Sequence, residues 1–360
     1  MNNQAPVFFK NPIKNIQKIF SEGEYSDLIF LVDSNTAEHC LPRISAKLTT
    51  EYKVIQIPAG EIYKNLDTTQ FIWNELSKLG TDRNALLINL GGGVIGDMGG
   101  FAASTYKRGI EFVQVPTTLL SMVDASVGGK TGINYNGIKN SIGLFSNPKA
   151  VIVDGVFLKT LDKRQMLNGF AEMLKSGLIE NGEYFYQLAE SGANGIDGID
   201  KMIQESIHIK EEIVAKDPFE KDERKKLNFG HTIGHGIESY SLLNDIDPLL
   251  HGEAIAVGMI CESFLSNKIS NLSDADLTKV STLIINLFPT YEISDLAIDP
   301  ILEFLQYDKK REGVKSNYTL ISQIGQSMIN QQVSLELARE SIQYYQNCVK
   351  LHNIDNPQSA

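Results

Sequence analysis

Three histidines lie close together in the second half of the sequence, in an arrangement that could bind a metal ion. His231 and His235 stand four residues apart in "LNFGHTIGHGIES", and His251 follows in "HGEAIAVGM". Imidazole nitrogen is a common zinc ligand, and residues four apart share one face of a helix. The same spacing also suits a helix core or surface, so it leaves open whether both members of the pair bind metal or only one.

A run of polar residues leads up to this pair. Steps of four, four, three and four residues separate Glu220, Arg224, Asn228, His231 and His235. A single helix through 216–239 would align these side chains along one stripe. A polar stripe in place of an apolar one predicts that this face meets a binding site or water.

A charged pair lies in an otherwise apolar segment upstream. In "GFAEMLKSGLI", Glu172 and Lys175 are three residues apart and therefore on one helix face. A surface salt bridge would explain the pair. If the pair is buried, Glu172 is a better candidate for a metal ligand and Lys175 for the charge that accompanies it.

Two glycine-rich segments in the first half could bind anions. "LINLGGGVIGDMGGFAAS" places glycines after an apolar strand and at the start of a helix, where free N–H groups suit a diphosphate. The order is not the usual G-x-G-x-x-G, so a turn required only for packing is the alternative. The segment 115–145 is predicted as a long functional loop, and its candidate anion-binding and polar residues are Asp124, Lys130, Lys139 and Asn140.

These residues must be positioned by two different kinds of structure. Short apolar runs predict buried parallel strands in the first half, with an amphipathic helix at 67–80 between two of them. From about residue 161 the pattern predicts long helices and one strand, 317–322. The fold class is therefore α/β, with a nucleotide-binding domain over 1–160 and a mostly helical domain over 161–360. The predicted strands of the first half are 27–33, 53–58, 85–90, 111–116 and 150–154, and the predicted helices of the second half are 162–180, 199–216, 222–241, 252–268, 273–287 and 333–350.

Composition excludes several classes of partner. The chain has 360 residues, a formal net charge of −11 and three widely spaced cysteines. The acidic balance argues against nucleic acid and anionic membranes, so an anionic ligand needs a local basic cluster. The cysteine pattern and the lack of a signal-like or membrane-spanning run predict a protein of the cytoplasm.

The motifs together resemble the 3-dehydroquinate synthase family, whose members convert 3-deoxy-D-arabino-heptulosonate 7-phosphate into 3-dehydroquinate and phosphate. The resemblance covers most of the chain in the expected order. It is carried by "AGEIYK", "GGGVIGDMGGFAAS", "VPTTLLSMVDASVGGKTGIN", "KNSIGLFSNPKAVIVD", "AEMLKSGLI", "ERKKLNFGHTIGHGIE", "HGEAIAVGM" and "DKK".

The resemblance implies a Rossmann-like domain followed by a helical metal and substrate domain, with the active site in the cleft between them, and a homodimer. It implies that Glu172, His231 and His251 bind zinc or cobalt. The implied NAD-binding residues are Glu61, Lys64, Gly93, Val94, Ile95, Gly96, Asp97, Thr117, Thr118, Lys139, Phe157, Leu158, Lys159 and Thr160. The implied substrate-binding or catalytic residues are Asp124, Lys130, Asn140, Lys175, Glu220, Arg224, Asn228, His235 and one of Lys309 or Lys310, with Arg108 contributed across the dimer.

Three alternative functions remain open at this level. Another sugar phosphate cyclase would differ around the substrate carboxylate and phosphate. An NAD- and metal-dependent alcohol or polyol dehydrogenase would share the architecture but accumulate NADH. A nucleotide-binding regulatory protein would lack a working metal site. Under the favoured interpretation, His231 and His235 have different roles. His231 binds the metal ion, and His235 contacts the substrate phosphate or moves a proton.

Overall fold

The computed structural model describes residues 5–136, 138–192, 198–312 and 317–356, and it describes no side chain in 306–312 or at 355. The chain divides into two compact units, Met1–Met166 and Leu167–Ala360. No helix in the described ranges combines the length and the apolar character that a membrane crossing needs.

A parallel sheet forms the centre of the first unit. The described residues of this unit contain eight strands: β1 (Val7–Phe9), β2 (Leu28–Asp33), β3 (Lys53–Ile57), β4 (Leu86–Gly91), β5 (Glu111–Pro116), β6 (Lys130–Tyr135), β7 (Ile138–Phe145) and β8 (Ala150–Val153). Six of them pair in the order β1-β8-β5-β4-β2-β3, with every neighbouring pair parallel. This sheet confirms the predicted fold class and the five predicted strands.

Continuous apolar runs explain why these strands lie in the interior. All six residues of β4 are buried, as a strand covered on both faces requires. The helices of the unit are α1 (Pro12–Glu22), α2 (Ser34–His39), α3 (Leu41–Ser45), α4 (Leu66–Lys78) and α5 (Gly93–Thr105). Helix α5 follows β4 directly and packs against β4, β5 and β6.

The segment 115–145 is not the irregular loop that the sequence predicts. It contains one turn of π-helix, Ser121–Ala125, and an antiparallel pair formed by β6 and β7. Gly132 and Gly143 face each other in this pair, and a Cβ on Gly132 would lie 2.7 Å from the Ile142 carbonyl oxygen. The glycines that suggested a loop therefore allow two backbones to approach closely.

The second unit is mostly helical. Its elements are α6 (Lys163–Glu180), α7 (Gly182–Ser191), α8 (Ile199–Lys216), α9 (His231–Asn244), α10 (His251–Ile269), α11 (Asp274–Leu287), α12 (Asp295–Glu312), β9 (Asn317–Gln323), β10 (Gln326–Gln332) and α13 (Leu335–Asp355). The sequence prediction missed α7, α12 and β10, the antiparallel partner of β9.

The predicted helix over 222–241 is broken. A 3₁₀ turn, Glu223–Asn228, ends at Phe229, and α9 begins after Gly230, which has φ 78°. Helix α10 causes the close approach at this point, because a Cβ on Gly258 would lie 1.9 Å from the Gly230 carbonyl oxygen. The prediction of one continuous helix was therefore wrong: the backbone turns to fit against α10.

Candidate functional site

Two of the three clustered histidines are the first residues of helices. His231 begins α9 and His251 begins α10, while His235 lies one turn into α9. The ring centroids are 5.1 Å apart for His231 and His235, 5.3 Å for His231 and His251, and 5.8 Å for His235 and His251. One ligand nitrogen from each ring lies within 4.8 Å of the other two, so these three side chains could hold a metal ion.

A buried carboxylate faces two of these rings. Glu172 on α6 is 2% exposed, and its Oε1 lies 3.6 Å from His231 Nε2 and 3.6 Å from His251 Nε2. Apart from an ion pair between Oε2 and Lys175, neither carboxylate oxygen has a hydrogen-bond partner within the described ranges. A buried carboxylate is costly unless it is balanced by a cation, so this donor set fits a divalent metal ion.

Lys175 balances part of this charge. It is 2% exposed and forms an ion pair with Glu172 Oε2, one turn away on α6. Burial alone would raise the pKa of Glu172, but Lys175 and the two facing histidines outweigh it and hold that pKa well below the usual range. Glu172 is therefore ionised and able to act as a ligand.

Each of the two histidines that face Glu172 has a partner at its other ring nitrogen. His231 Nδ1 lies 3.1 Å from the Phe229 carbonyl oxygen, and His251 Nδ1 lies 3.4 Å from Glu238 Oε2. An acceptor at Nδ1 favours the tautomer whose Nε2 is free to bind a metal, and such partners are usual behind metal-binding histidines.

The pKa values of His231 and His251 are shifted in opposite directions. Burial, with the neighbouring charge of Lys175, lowers the pKa of His231 well below its usual value. Burial alone would also lower the pKa of His251, but Glu172 and Glu238 outweigh it and raise this pKa to about 10. A divalent ion bound at this position would have to replace the proton on His251 Nε2.

The predicted polar stripe does not form, because the helix that would carry it is broken. Glu220 precedes the 3₁₀ turn with φ 57°, and its Oε1 accepts a hydrogen bond of 3.0 Å from Asn228 Nδ2. Arg224 is buried and donates through Nη1 to the Pro218 carbonyl oxygen at 2.8 Å. The three residues therefore lie on one compact turn before α9.

Asp217 organises this turn, and the sequence prediction missed it. Its carboxylate accepts backbone N–H bonds from Lys221, Asp222 and Arg224 at 3.0, 2.6 and 3.1 Å. Burial raises the pKa of Asp217, but these bonds outweigh it and the net pKa is lowered. An ionised Asp217 therefore holds the backbone that carries Arg224.

The glycine-rich turn of the first unit leaves the start of α5 open. Gly92, its N-cap, supplies no side-chain cap, and a Cβ there would lie 3.1 Å from Thr118 Cγ2. The first N–H groups of any helix have no intrahelical acceptor, so those of Gly93, Val94 and Ile95 can bind an anion. This tight, uncapped turn fits the diphosphate of a dinucleotide.

Polar side chains from separate segments meet near this helix. Lys64 is 4% exposed, and its Nζ lies 2.5 Å from Asp97 Oδ2 on α5 and 2.5 Å from Asn140 Oδ1 on β7. Asn134 on β6, which the sequence prediction missed, donates to Glu61 Oε1 at 2.9 Å and accepts the Asn140 N–H at 2.9 Å. The structure thus groups Glu61, Lys64, Asp97 and Asn140.

The other predicted residues of the first unit differ in exposure. Thr117 donates its N–H to the Gly91 carbonyl oxygen at 3.0 Å, and Thr118 bonds to Ser121. Phe157 and Leu158 are buried in the 3₁₀ turn Gly155–Thr160. Gly96 lies on α5 and Asp124 in the π-helical turn, whereas the exposed residues are Arg108, Lys130, Lys139, Lys159 and Thr160.

Two of the predicted lysines lie outside the described side chains, and a buried lysine is a further residue that the sequence prediction missed. Lys309 and Lys310 fall among the residues whose side chains lie outside the described set. Lys210 on α8 is buried, and α8 packs against the 3₁₀ turn that carries Arg224. A lysine is seldom buried, so its position within the apolar stripe of a helix was the signal that could have found it.

Comparison with known proteins covers both units. Residues 54–168 match the family model for the 3-dehydroquinate synthase N-terminal domain, and residues 169–311 match the model for the C-terminal domain. A 3-dehydroquinate synthase from Parabacteroides distasonis is 40% identical over 348 residues, which are 96% of this chain and 98% of that protein.

Two solved structures of synthases resemble most of the chain. A 2-epi-5-epi-valiolone synthase from Streptomyces hygroscopicus with NAD⁺ and Zn²⁺ bound has a TM-score of 0.85 and 25% identity, over 96% of this chain and 98% of that one. A 2-deoxy-scyllo-inosose synthase, complexed with carbaglucose-6-phosphate, NAD⁺ and Co²⁺, has a TM-score of 0.81 and 26% identity, over 95% and 99%.

Proposed function

The chain belongs to the 3-dehydroquinate synthase family, and we propose that it converts 3-deoxy-D-arabino-heptulosonate 7-phosphate into 3-dehydroquinate and phosphate. Identity is 40% to a named 3-dehydroquinate synthase but 25–26% to the two other cyclising synthases. The observation that carries the proposal is the buried Glu172 carboxylate, whose Oε1 lies 3.6 Å from the Nε2 atoms of both His231 and His251.

We assign the divalent metal ion to Glu172, His231 and His251. Two imidazoles and one carboxylate are a usual protein set for catalytic zinc, and they leave coordination positions open for substrate oxygens. His235 is the competing ligand, because its ring lies as near His231 as His251 does. We prefer to place His235 beside the substrate, since its side chain is exposed and lies one helical turn away from His231, which faces the Glu172 carboxylate.

We assign NAD to the first unit. The N–H groups of Gly93, Val94 and Ile95 would bind the diphosphate, and Lys64 would fix the position of Asp97 and Asn140. The remaining proposed contacts of the dinucleotide are Glu61, Gly96, Thr117, Thr118, Lys139, Phe157, Leu158, Lys159 and Thr160.

NAD bound to the first unit would supply reversible acceptance of a hydride from the carbon that bears a substrate hydroxyl, and a metal ion held by Glu172, His231 and His251 would polarise the substrate oxygens. The protein would supply the binding groups for an anionic sugar. Lys175, Lys210 and Arg224 are buried cations of the second unit, and we assign the binding of the substrate phosphate and carboxylate to them because the chain as a whole is acidic. His235 would bind the phosphate or move a proton.

Enclosure by these groups would favour the later ring opening and aldol closure, because both need the substrate held in one conformer. Asp124, Lys130, Asn140, Glu220, Asn228, Arg108 of a second copy, and one of Lys309 or Lys310 complete the proposed set. We also propose that the protein acts in the cytoplasm as a homodimer. Cys40, Cys261 and Cys348 are all free thiols, which suits a reducing compartment.

The activity is tested with purified protein, NAD and either zinc or cobalt. We expect phosphate release from the heptulosonate phosphate with no net increase in NADH absorbance, because the hydride is returned in each turnover. Steady NADH accumulation would instead indicate a polyol dehydrogenase. Absence of phosphate release from metal-loaded protein would contradict the proposal.

The ligand assignment is tested by measuring bound metal in three variants. We expect His231→Ala and His251→Ala to lose the metal while NAD binding persists, because NAD is assigned to the other unit. His235→Ala should retain it. Stoichiometric metal in His231→Ala, or its loss only in His235→Ala, would show that the ligand set is wrong.

A further inference from the structure

A buried glutamate of α10 contacts the start of the neighbouring helix α9. Glu262 is completely buried, and its carboxylate accepts the Gly230 N–H at 2.7 Å and the Ile233 N–H at 3.0 Å. These donors flank His231, the first residue of α9. The carboxylate therefore supplies the cap that Gly230, which has no side chain, cannot supply.

An asparagine of α6 plays the same part at the start of α10. Asn168 is buried, and its Oδ1 accepts the Gly252 N–H at 2.6 Å, next to His251. A Cβ on Gly252 would lie 2.0 Å from the Asn168 carbonyl oxygen, so α6 and α10 touch at this point. Asn168 precedes Glu172 by four residues, one turn of the same helix.

The two contacts connect the three helices in series. Helix α6 carries Glu172 and caps the helix that begins with His251; α10 carries His251 and caps the helix that begins with His231. A buried carboxyl group costs free energy that an apolar residue would avoid. Glu262 is completely buried, so its role must depend on the backbone N–H groups that donate to it.

We infer that Glu262 and Asn168 are positioning residues that set the spacing of the metal ligands, each by holding the first turn of a helix that begins with a ligand histidine. This inference rests on the proposed metal site. The Gly230 and Ile233 N–H groups donate to the two oxygens of the Glu262 carboxyl group, and leaving these buried N–H groups without an acceptor is unfavourable. Loss of either cap therefore allows its histidine to shift relative to Glu172.

The test compares metal affinity in four variants. Glu262→Ala and Asn168→Ala remove the cap, whereas Glu262→Gln and Asn168→Asp keep one oxygen acceptor. Zinc dissociation constants are measured by competition with a chromophoric chelator, and the visible spectrum of the cobalt form reports ligand geometry. We expect the alanine variants to bind zinc about 10- to 100-fold more weakly, as for other residues behind metal ligands. Asn168→Asp should stay within about threefold of the parent protein, and Glu262→Gln should lie between the two.

Two controls separate a positioning role from simple destabilisation and from failure of the metal assignment. Ser281→Ala removes a buried hydroxyl of α11 that bonds to Tyr344, so it should lower stability without changing zinc affinity. An equal loss of affinity in Ser281→Ala, or parental affinity and cobalt spectrum in both alanine variants, would overturn the inference. If Glu262→Ala does not fold, Glu262→Gln takes its place, and parental zinc affinity with a parental cobalt spectrum in that variant would overturn the role of Glu262. Retention of metal by His231→Ala would instead overturn the proposed ligand set.

Discussion

Gly99 of α5 should be replaceable by alanine only when Asn89 is replaced as well. Asn89 on β4 is 1% exposed and points under α5, where a Cβ on Gly99 would lie 2.1 Å from its Oδ1. Real Cβ atoms do not approach an oxygen this closely, so Gly99→Ala must displace either the amide or the helix. Overpacking of this kind costs about 1–3 kcal/mol, and the better helix propensity of alanine returns about 0.5–1 kcal/mol. We expect a net loss of about 2 kcal/mol in the free energy of unfolding, near the upper end of these ranges.

The same substitution should be nearly neutral in an Asn89→Ala background. With the amide gone, the next atom near the new Cβ is Leu31 Cδ2 at 2.8 Å, the end of a flexible side chain. The helix-propensity gain of about 0.5–1 kcal/mol then offsets the remaining contact. The two substitutions should therefore couple by about 2 kcal/mol, within the range observed for contacting residues.

Urea unfolding of the parent, the two single variants and the double variant measures this coupling. Trp73 is the only tryptophan of the chain, and its Nε1 donates to the Ala102 carbonyl oxygen of α5 at 3.2 Å. Its fluorescence therefore follows the first unit even where the two units unfold separately. Equal costs for Gly99→Ala in both backgrounds, within about 0.5 kcal/mol, would refute the close contact on which the reasoning depends.

Three further predictions concern the ionised groups. Lys175→Met should destabilise the metal-free protein by about 3–5 kcal/mol, because it leaves the buried Glu172 without its partner, and added zinc should restore part of the loss in thermal unfolding; equal stability of variant and parent would contradict this. Lys64→Met should weaken NAD binding at least tenfold, as measured by calorimetry. Burial already raises the pKa of Asp97, and the variant removes the Lys64 cation that opposes this shift. Unchanged affinity for NAD would remove Lys64 from the proposed site. Asp217 has a lowered pKa, so its stabilisation is present above the usual value of 3.8 and is lost as pH falls further; Asp217→Asn should flatten this acid dependence of unfolding, and an unchanged pH profile would contradict the capping role.

Much of the fold follows from local pattern, because the relevant strands are buried on both faces. The run "LLINLG" is apolar enough to specify a central strand without tertiary information, and β4 lies where this run predicts it. The strand β7 carries no such pattern. All eight of its residues are exposed, and they alternate neither by hydrophobicity nor by burial. Its pairing depends on the close approach of Gly132 and Gly143, which is a property of the folded backbone.

The candidate metal site was likewise predicted only in part from the sequence. The resemblance to the 3-dehydroquinate synthase family implied Glu172, His231 and His251 as a ligand set, and the structure brings their side chains together. The polar stripe failed because periodicity assumes a straight helix, whereas Gly230 adopts φ 78° to pack against α10. Residues that support the site from behind, such as Glu238, have no spacing relative to the ligands that a sequence pattern could detect.

The N-termini of helices have different roles in the two units. One of them can bind an anion, and two others hold a histidine side chain in position. At α5 the N-cap Gly92 provides no side chain, so the first N–H groups stay available to an anion. At α9 the buried Glu262 accepts the Gly230 and Ile233 N–H groups, and at α10 the buried Asn168 accepts the Gly252 N–H. Donors bonded in this way are not available to an anion, but they hold the helix start that carries the first side chain. A histidine at that first position is thus held by backbone hydrogen bonds, which accounts for two histidines from separate helices facing one carboxylate oxygen at the same distance of 3.6 Å.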